Sequence, residues 1–276
     1  MAIPSASEGE ILGKTLYGDN FSADQIREWY AQEVTGYFDL ATHHYKAADD
    51  GSSYGYEALN RFHAIKRLLG RQFDTCLGLG CATGDDIAPL GAVVKRFIAI
   101  EPAEKWWRNE IGGKPATYMA PSAIGDIALD TASVDLATSF GVLHHIPNVS
   151  HVISEIARVL KPRGLFVLRE PISSMGDWRK ARAGLTAHER GLPIKWLESI
   201  VPSAGFKILA SHACMFGPLP IIAKKLGIAA PYSNMPVVKL DWMISEVFRW
   251  NARYWRDTFP KKIAPNSAFW ILERTV

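Results

Sequence analysis

A glycine-rich run, two adjacent histidines and two widely separated glutamates are the parts of this 276-residue sequence that could do chemistry. The run is Cys76-Leu77-Gly78-Leu79-Gly80-Cys81-Ala82-Thr83-Gly84. Glycines there let the backbone turn tightly and approach a ligand, and a helix starting at once would offer free N–H groups to an anion. Glu101 follows Gly84 by seventeen residues. His144 and His145 come next, and then Glu170. Histidine is the usual general base near neutral pH, and a carboxylate beside it orients the ring. A His–Glu170 pair could therefore deprotonate a hydroxyl, with His145 the first candidate and His144 the second.

These residues need a scaffold that brings them together. Short apolar runs alternate with helical stretches from residue 73 onward. Strands are expected at Phe73–Leu79, Phe97–Ile100, Ala116–Met119, Val134–Ser139 and Leu165–Arg169. Helices are expected at Gly84–Val94, Ala103–Ile111 and Val149–Leu160. Strands lacking polar alternation, separated by amphipathic helices, imply a parallel sheet covered on both faces. In such a sheet the strand ends carrying His144, His145 and Glu170 open on one crevice. Two helices, over 22–48 and 56–69, precede the sheet. Beyond Pro171 helices are expected at Trp178–Leu185, Ile194–Ala204 and roughly 237–258, and strands at Phe206–Ala213 and Ser267–Arg274. The last helix would align Arg249, Arg253 and Arg256 on one side. The chain thus divides into an N-terminal helical cap (1–72), a core (73–170) and a completing part (171–276) with insertions at 171–204 and 214–265.

The loop's ligand can be narrowed. A phosphate-binding P-loop needs Lys and Ser/Thr after its last glycine, but Asp85 and Asp86 follow Gly84. The dinucleotide fingerprint would place its third glycine at 83, which is Thr83. A looser loop holding a carboxylate and a ribose without phosphate suits S-adenosylmethionine, whose amino or sulfonium end the two aspartates could face. Glu101, at the end of the second strand, would then accept both ribose hydroxyls.

Two further stretches complete the pattern: Val142-Leu143-His144-His145-Ile146-Pro147, and Arg158-Val159-Leu160-Lys161-Pro162-Arg163-Gly164. With them, residues 70–170 resemble the class I S-adenosylmethionine-dependent methyltransferases. The resemblance implies an α/β, Rossmann-like, seven-stranded and mostly parallel sheet. Its order is 3-2-1-4-5-7-6 with strand 7 antiparallel, here with an N-terminal helical cap and a C-terminal helical insertion. It implies cofactor contacts from Gly78, Leu79, Gly80, Cys81 and Gly84, from Glu101 and Pro102, from Ser122 and Ala123 beside the adenine, and from Phe140. Gly78 stands where the family has Asp, Ala82 where it has Gly, Ser122 where it has an acid, and Arg163 where it has Gly. The expected activity is methyl transfer to a small-molecule acceptor, with oxygen favoured. An RNA or DNA methyltransferase and a non-catalytic cofactor-binding protein are the alternatives. No metal is expected.

Composition limits the rest. With 48% hydrophobic and 21% charged residues the chain is an ordinary globular one. Three cysteines form no metal spacing and no disulfide framework, and no apolar run approaches a membrane span. The start MAIPSASEGE lacks the basic and apolar regions of a signal peptide, so a cytoplasmic location is expected. Charge is uneven: 16 Lys+Arg against 21 Asp+Glu over 1–175, but 15 against 7 over 176–276, where six of nine Trp also lie. That imbalance suggests an acceptor with an acidic handle, clamped by Arg249, Arg253 and Arg256 beneath an insertion that acts as a lid. Nucleic acid is disfavoured as partner, since no separate binding module accompanies the basic third. His188 and Arg190 could touch substrate, against a capping role for Thr186 and Glu189. His43, His44 and Tyr45 could touch the ligand from the cap.

Overall fold

The computed structural model describes residues 3–44 and 54–275, with side chains in the first long helix as far as Tyr37. Helix α1 (Glu8–Ile11) and the long helix α2 (Ala23–His44) come first. Helix α3 (Glu57–Asn60), a π turn (Arg61–Ile65) and α4 (Lys66–Leu68) then run on without a break. The strands are β1 (Phe73–Leu79), β2 (Val94–Ile100), β3 (Glu110–Ile111), β4 (Lys114–Met119), β5 (Val134–Phe140), β6 (Leu160–Pro171), β7 (Phe206–Phe216) and β8 (Pro265–Arg274). Helix α5 (Val149–Val159) joins β5 to β6, and α6 (Ile194–Ser203) precedes β7. Between β7 and β8 lie α7 (Leu219–Lys225), α8 (Met235–Val247) and α9 (Phe259–Lys262).

The eight strands form one sheet, β3-β4-β2-β1-β5-β6-β8-β7. The run from β4 to β6 is parallel, and β8 is antiparallel to both of its neighbours. Seven strands therefore follow the expected order, and β3 adds an eighth at the edge. Alternation along the strands fills two cores. Leu77, Phe166, Leu168, Trp270 and Leu272 face one layer, where Ile153 and Ile156 of α5 and Leu197 of α6 cover them. Cys76, Leu165, Val167, Phe269 and Ile271 face the other, beneath Leu59, Leu68, Leu90 and Val238.

Four expected helices take another form. After Gly84 the chain makes turns and a 3-10 segment, Ala88–Ala92, in place of an α-helix. Gly91 lies within it, where glycine does not favour a helix, and a Cβ on Gly91 would stand 2.1 Å from the Gly112 carbonyl oxygen. Residues 103–111 form a 3-10 turn and then β3, because Gly112 and Gly113, at φ 55° and 73°, make a two-residue hairpin. Residues 178–185 are turns and bends, with Gly176 at positive φ just before them and Gly184 at positive φ within them. The long C-terminal helix stops at Val247. There the Asn251 side chain donates to the carbonyls of Pro260 and Ile263 and draws the chain off the helical path. Arg249, Arg253 and Arg256 consequently share no helix face.

Candidate active site

The carboxyl ends of β1, β2 and β5 open on a cleft of about 190 Å³ that α2 roofs. Its floor includes Leu79, Gly80, Glu101, Pro102, Ser122 and Ala123; its roof includes Trp29, Tyr30, Glu33 and Tyr37. Glycine at 80 is required, since at φ 55° its Cβ would meet Val142 at 2.7 Å. Gly78, Cys81, Gly84 and Phe140, also expected here, are not in the wall. Gly78 lies beneath it, where a Cβ would stand 2.8 Å from Ile87, and Gly84 packs on Ile111. Cys81 is buried, and burial pushes its thiol well above its ordinary range. Phe140 lines a second cavity instead. The acids expected to face the ligand also point elsewhere. Asp85 accepts from the Thr83 hydroxyl, and Asp86 is buried away from the cleft, where desolvation raises its pKa to about 7. No α-helix begins at Gly84, so the proposed N-terminal anion site is absent from this loop.

Glu101 is fully buried. Its carboxylate accepts from the backbone N–H of Ala82 and of Ala103, each at 3.0 Å, and from the Tyr37 side chain. Burial raises its pKa, against these bonds. The bond to Ala82 comes from a residue at φ 46°, a left-handed conformation adopted without glycine. Farther along, Asn148 lines the same cleft with a buried Oδ1 that has no protein partner. Asn148 Oδ1 thus needs a donor, and the Glu101 carboxylate, whose oxygens can each accept more than one bond, can take further ones. Ribose hydroxyls and an adenine amino group supply such donors, so these residues fit S-adenosylmethionine. Ser122 uses its hydroxyl within its own turn, accepting from the Ile124 N–H.

The second cavity, about 730 Å³, adjoins the first at Gly141, which lines both. His144 lines this cavity and His145 lines the cleft, with ring centroids 4.1 Å apart. The two differ in chemistry. His144 Nδ1 meets Glu170 Oε2 at 2.8 Å, and its Nε2 lies 3.5 Å from Glu189. Burial works against a charge on His144, but the two carboxylates outweigh it and hold its pKa up at about 9. Glu170 also accepts from the backbone N–H groups of Val142 and Leu143 and so fixes the loop after β5.

His145 finds a different acid. Its Nδ1 lies 2.8 Å from Glu33 Oε2 and 3.2 Å from the Thr186 hydroxyl. Burial penalises the Glu33 charge, but bonds from His145, Thr186 and the His188 N–H keep its pKa below the ordinary carboxylate value. With Nδ1–H donating to Glu33, Nε2 keeps a lone pair. The structure therefore joins Glu170 to His144, while His145 pairs with Glu33. The sequence offered no sign of this, because 112 residues separate the partners. Trp29 and Arg190 hold the arrangement in place. Trp29 Nε1 donates to the His145 carbonyl, and the buried Arg190 guanidinium donates to the carbonyls of Tyr17, His144, Ile146 and Pro147. Arg190 and His188 line neither cavity; His188 stacks on Trp29, and Thr186 N–H does donate to Glu189. The contact expected of His43, His44 and Tyr45 concerns side chains outside those described.

Among the described residues, His144, His145 and Glu189 bring donor atoms within 4.8 Å of one another. A metal there would need both imidazoles neutral and would compete with Glu170 for the His144 ring.

The basic residues of the second cavity are Arg169, Arg256 and Lys262. Arg169 is buried, donates to Asn60 Oδ1 at 2.9 Å and to Tyr54, and stacks on Tyr56. Arg256 donates to Asn266 Oδ1 and to the carbonyls of Arg253 and Pro265. Neither guanidinium has a carboxylate at salt-bridge distance among the described residues. Arg249, by contrast, is taken up by Ser211, Glu198 and Glu246. Arg169 was missed in the sequence because its strand pattern gives it no distinction; its charge in an otherwise apolar strand was the available signal.

Residues 77–168 match the family described as "Methyltransferase domain". The "Probable S-adenosylmethionine-dependent methyltransferase" of Mycolicibacterium smegmatis is 25% identical over 132 residues, 48% of this chain and 51% of that one. The sterol 4-C-methyltransferase of Caenorhabditis elegans is 31% identical over 127 residues, 43% of this chain and 38% of that one. The chain thus aligns with less than two thirds of the length of the curated relatives it matches, from about a third upward. Among solved structures, the [4+2]-cyclase SpnF superposes over 89% of this chain and 96% of its own, at a TM-score of 0.58 and 19% identity. Residues 77–168 thus match a methyltransferase domain, and the relatives named as S-adenosylmethionine-dependent make S-adenosylmethionine the cofactor that this similarity implies.

Proposed function

We propose that the protein transfers a methyl group from S-adenosylmethionine to a hydroxyl oxygen of a small acceptor that carries an anionic group. The observation that carries this reading is the junction at Gly141, where cleft and second cavity meet beside His145. When bound, the cofactor supplies an electrophilic methyl group on a sulfonium. Glu101 and Asn148 would hold its ribose and adenine, and Leu79, Gly80 and Pro102 would complete the floor. His145, oriented by Glu33 through Nδ1, would take the acceptor's proton at Nε2. A protonated His144 cannot play that part. Together with Glu170 and Glu189 it positions the loop on which His145 stands. Positioning supplies much of the remaining acceleration, since the leaving thioether is neutral.

The second cavity supports the anionic class of acceptor. Arg169 and Arg256 present guanidinium groups without a carboxylate, and such a fork suits a carboxylate or phosphate. A small acceptor is in keeping with the relative named as a sterol methyltransferase. That relative alkylates carbon, so the atom methylated is the point to test. Isotope-labelled cofactor, incubated with hydroxylated carboxylic acids, should place the label on oxygen. His145→Ala should lower kcat by about 10²–10⁴ while S-adenosylhomocysteine affinity stays within about twofold. Label on carbon or nitrogen, or full activity in that variant, would remove the oxygen-and-base assignment.

A further inference from the structure

Helix α8 is inside out. Asp241 and Ser245 are buried, whereas Leu240, Met243 and Val247, spaced as one helical stripe, are 47%, 58% and 67% exposed. The rotation is pinned. The Asp241 carboxylate accepts from the backbone N–H groups of Met215 and Phe216 at 2.7 and 2.8 Å, closing the end of β7. With that bond made, the apolar stripe must face outward.

Its neighbours continue the surface. Helix α7 packs on the same Pro231–Ser233 turn as α8 and exposes Ile221 and Ile222, with Leu226 at its end. Trp250 and Phe259 are each 76% exposed. Among the described residues, nine of the twelve large exposed hydrophobic ones lie between 221 and 259, although most of the chain lies outside that segment. An exposed apolar face of this kind marks an interaction site.

The charges select the occupant. Lys224, Lys225, Lys239 and Arg253 are exposed on the same segment, and none has an ion-pair partner among the described residues. The acids there are already engaged: Asp241 by backbone, Glu246 by Arg249 and Asp257 by Lys261. A second copy of the chain docked face to face would set these cations against themselves. An anionic lipid surface would satisfy them and accept the aliphatic and aromatic side chains at its headgroup–acyl boundary. We propose that the 219–259 segment docks the protein on an anionic membrane surface. The same insertion contributes Arg256 and Lys262 to the second cavity, so docking would bring that cavity to the lipid.

Vesicle co-sedimentation tests this without cofactor or acceptor, so its result is independent of the methyl-transfer reading. The full chain should sediment with vesicles of two parts phosphatidylcholine to one part phosphatidylglycerol. It should bind pure phosphatidylcholine far less, and should dissociate from the anionic vesicles as salt rises. The double variants Leu240→Asp/Val247→Asp and Lys224→Glu/Lys225→Glu alter only exposed side chains, and an unchanged melting temperature verifies their fold. Each should weaken binding by at least about tenfold. Failure of the full chain to sediment with anionic vesicles overturns the proposal, as does undiminished binding by both variants. A dimer in size-exclusion chromatography that Leu240→Asp/Val247→Asp dissociates, without vesicle binding, assigns the face to a second copy instead.

Discussion

The two adjoining cavities are built from opposite materials. The cleft beneath α2 is lined by backbone, apolar side chains and two acceptors, the Glu101 carboxylate and an Asn148 Oδ1 that has no partner among the described residues. The second cavity is lined by guanidinium and ammonium donors, with its one glutamate already committed to a histidine. One asks for a ligand rich in donors and the other for an anion. The adjacent histidines repeat the contrast. His144 is clamped between two buried carboxylates, whereas His145 has one carboxylate and a free ring nitrogen. Two residues of the same type, next to each other in sequence, are given separate tasks entirely by the partners that the fold brings to them.

The largest expected effect falls on the clamped side. Removing one member of a buried charged pair typically costs about 3–5 kcal/mol, so His144→Gln should destabilise the fold by that order near pH 6. Its sign with pH is fixed by linkage. His144 ordinarily titrates near 6.5 and in the fold near 9. Its contribution is therefore complete below about pH 6.5 and lost as pH rises through 9. Glu189, held down to about 2, contributes above its ordinary value of 4.5 and loses that contribution only as pH falls toward 2. Urea unfolding of wild type and His144→Gln should show a stability gap that narrows by up to about 3 kcal/mol between pH 6 and pH 10. A gap that does not change with pH would mean His144 is neutral in the fold, and the contrast with His145 would collapse.

On the cofactor side, Glu101→Ala removes the proposed acceptor for the ribose and frees the N–H groups of Ala82 and Ala103. Calorimetric titration with S-adenosylhomocysteine should show affinity weaker by about ten- to hundredfold, roughly 1.5–3 kcal/mol. Unchanged affinity would move the ribose elsewhere in the cleft. On the acceptor side, Arg169→Lys keeps the charge but loses the fork. It should raise KM for an anionic acceptor by about tenfold while the cofactor constant stays fixed. Equal changes in both constants would show that Arg169 only braces β6.

How much of this was readable beforehand depended on distance along the chain. The sheet was legible because each strand is a local apolar run, and Glu101 was legible because a strand end follows a glycine loop at a fixed interval. The hairpin at Gly112-Gly113 was available too, as a two-glycine turn, but the expectation of a helix over 103–111 obscured it. The acids after Gly84 were misplaced for a physical reason: without a helix there, Asp86 turns under the loop and is buried. The Glu33–His145 pair, the Arg169 environment and the outward stripe of α8 depend on contacts between segments far apart in sequence. Composition could register only a basic, Trp-rich C-terminal third, without separating arginines that line a cavity from arginines that tie down a strand.

That separation gives the smallest and most discriminating test. Arg249 and Arg256 were indistinguishable as members of one presumed helical row. In the fold, Arg249 donates to the Ser211 carbonyl and hydroxyl and lies 3.5 Å from Glu198, on the outer side of β7. Arg256 belongs to the cavity wall. Arg249→Gln should cost at most about 1 kcal/mol of stability, the usual worth of a partly exposed ion pair, and leave acceptor KM unaltered. Arg256→Gln should raise acceptor KM severalfold, by an amount that shrinks as salt screens the remaining charge. If the two variants shift KM alike, the acceptor is sensing the net charge of the C-terminal third and not a built cavity, and the division between the two arginines would have to be abandoned.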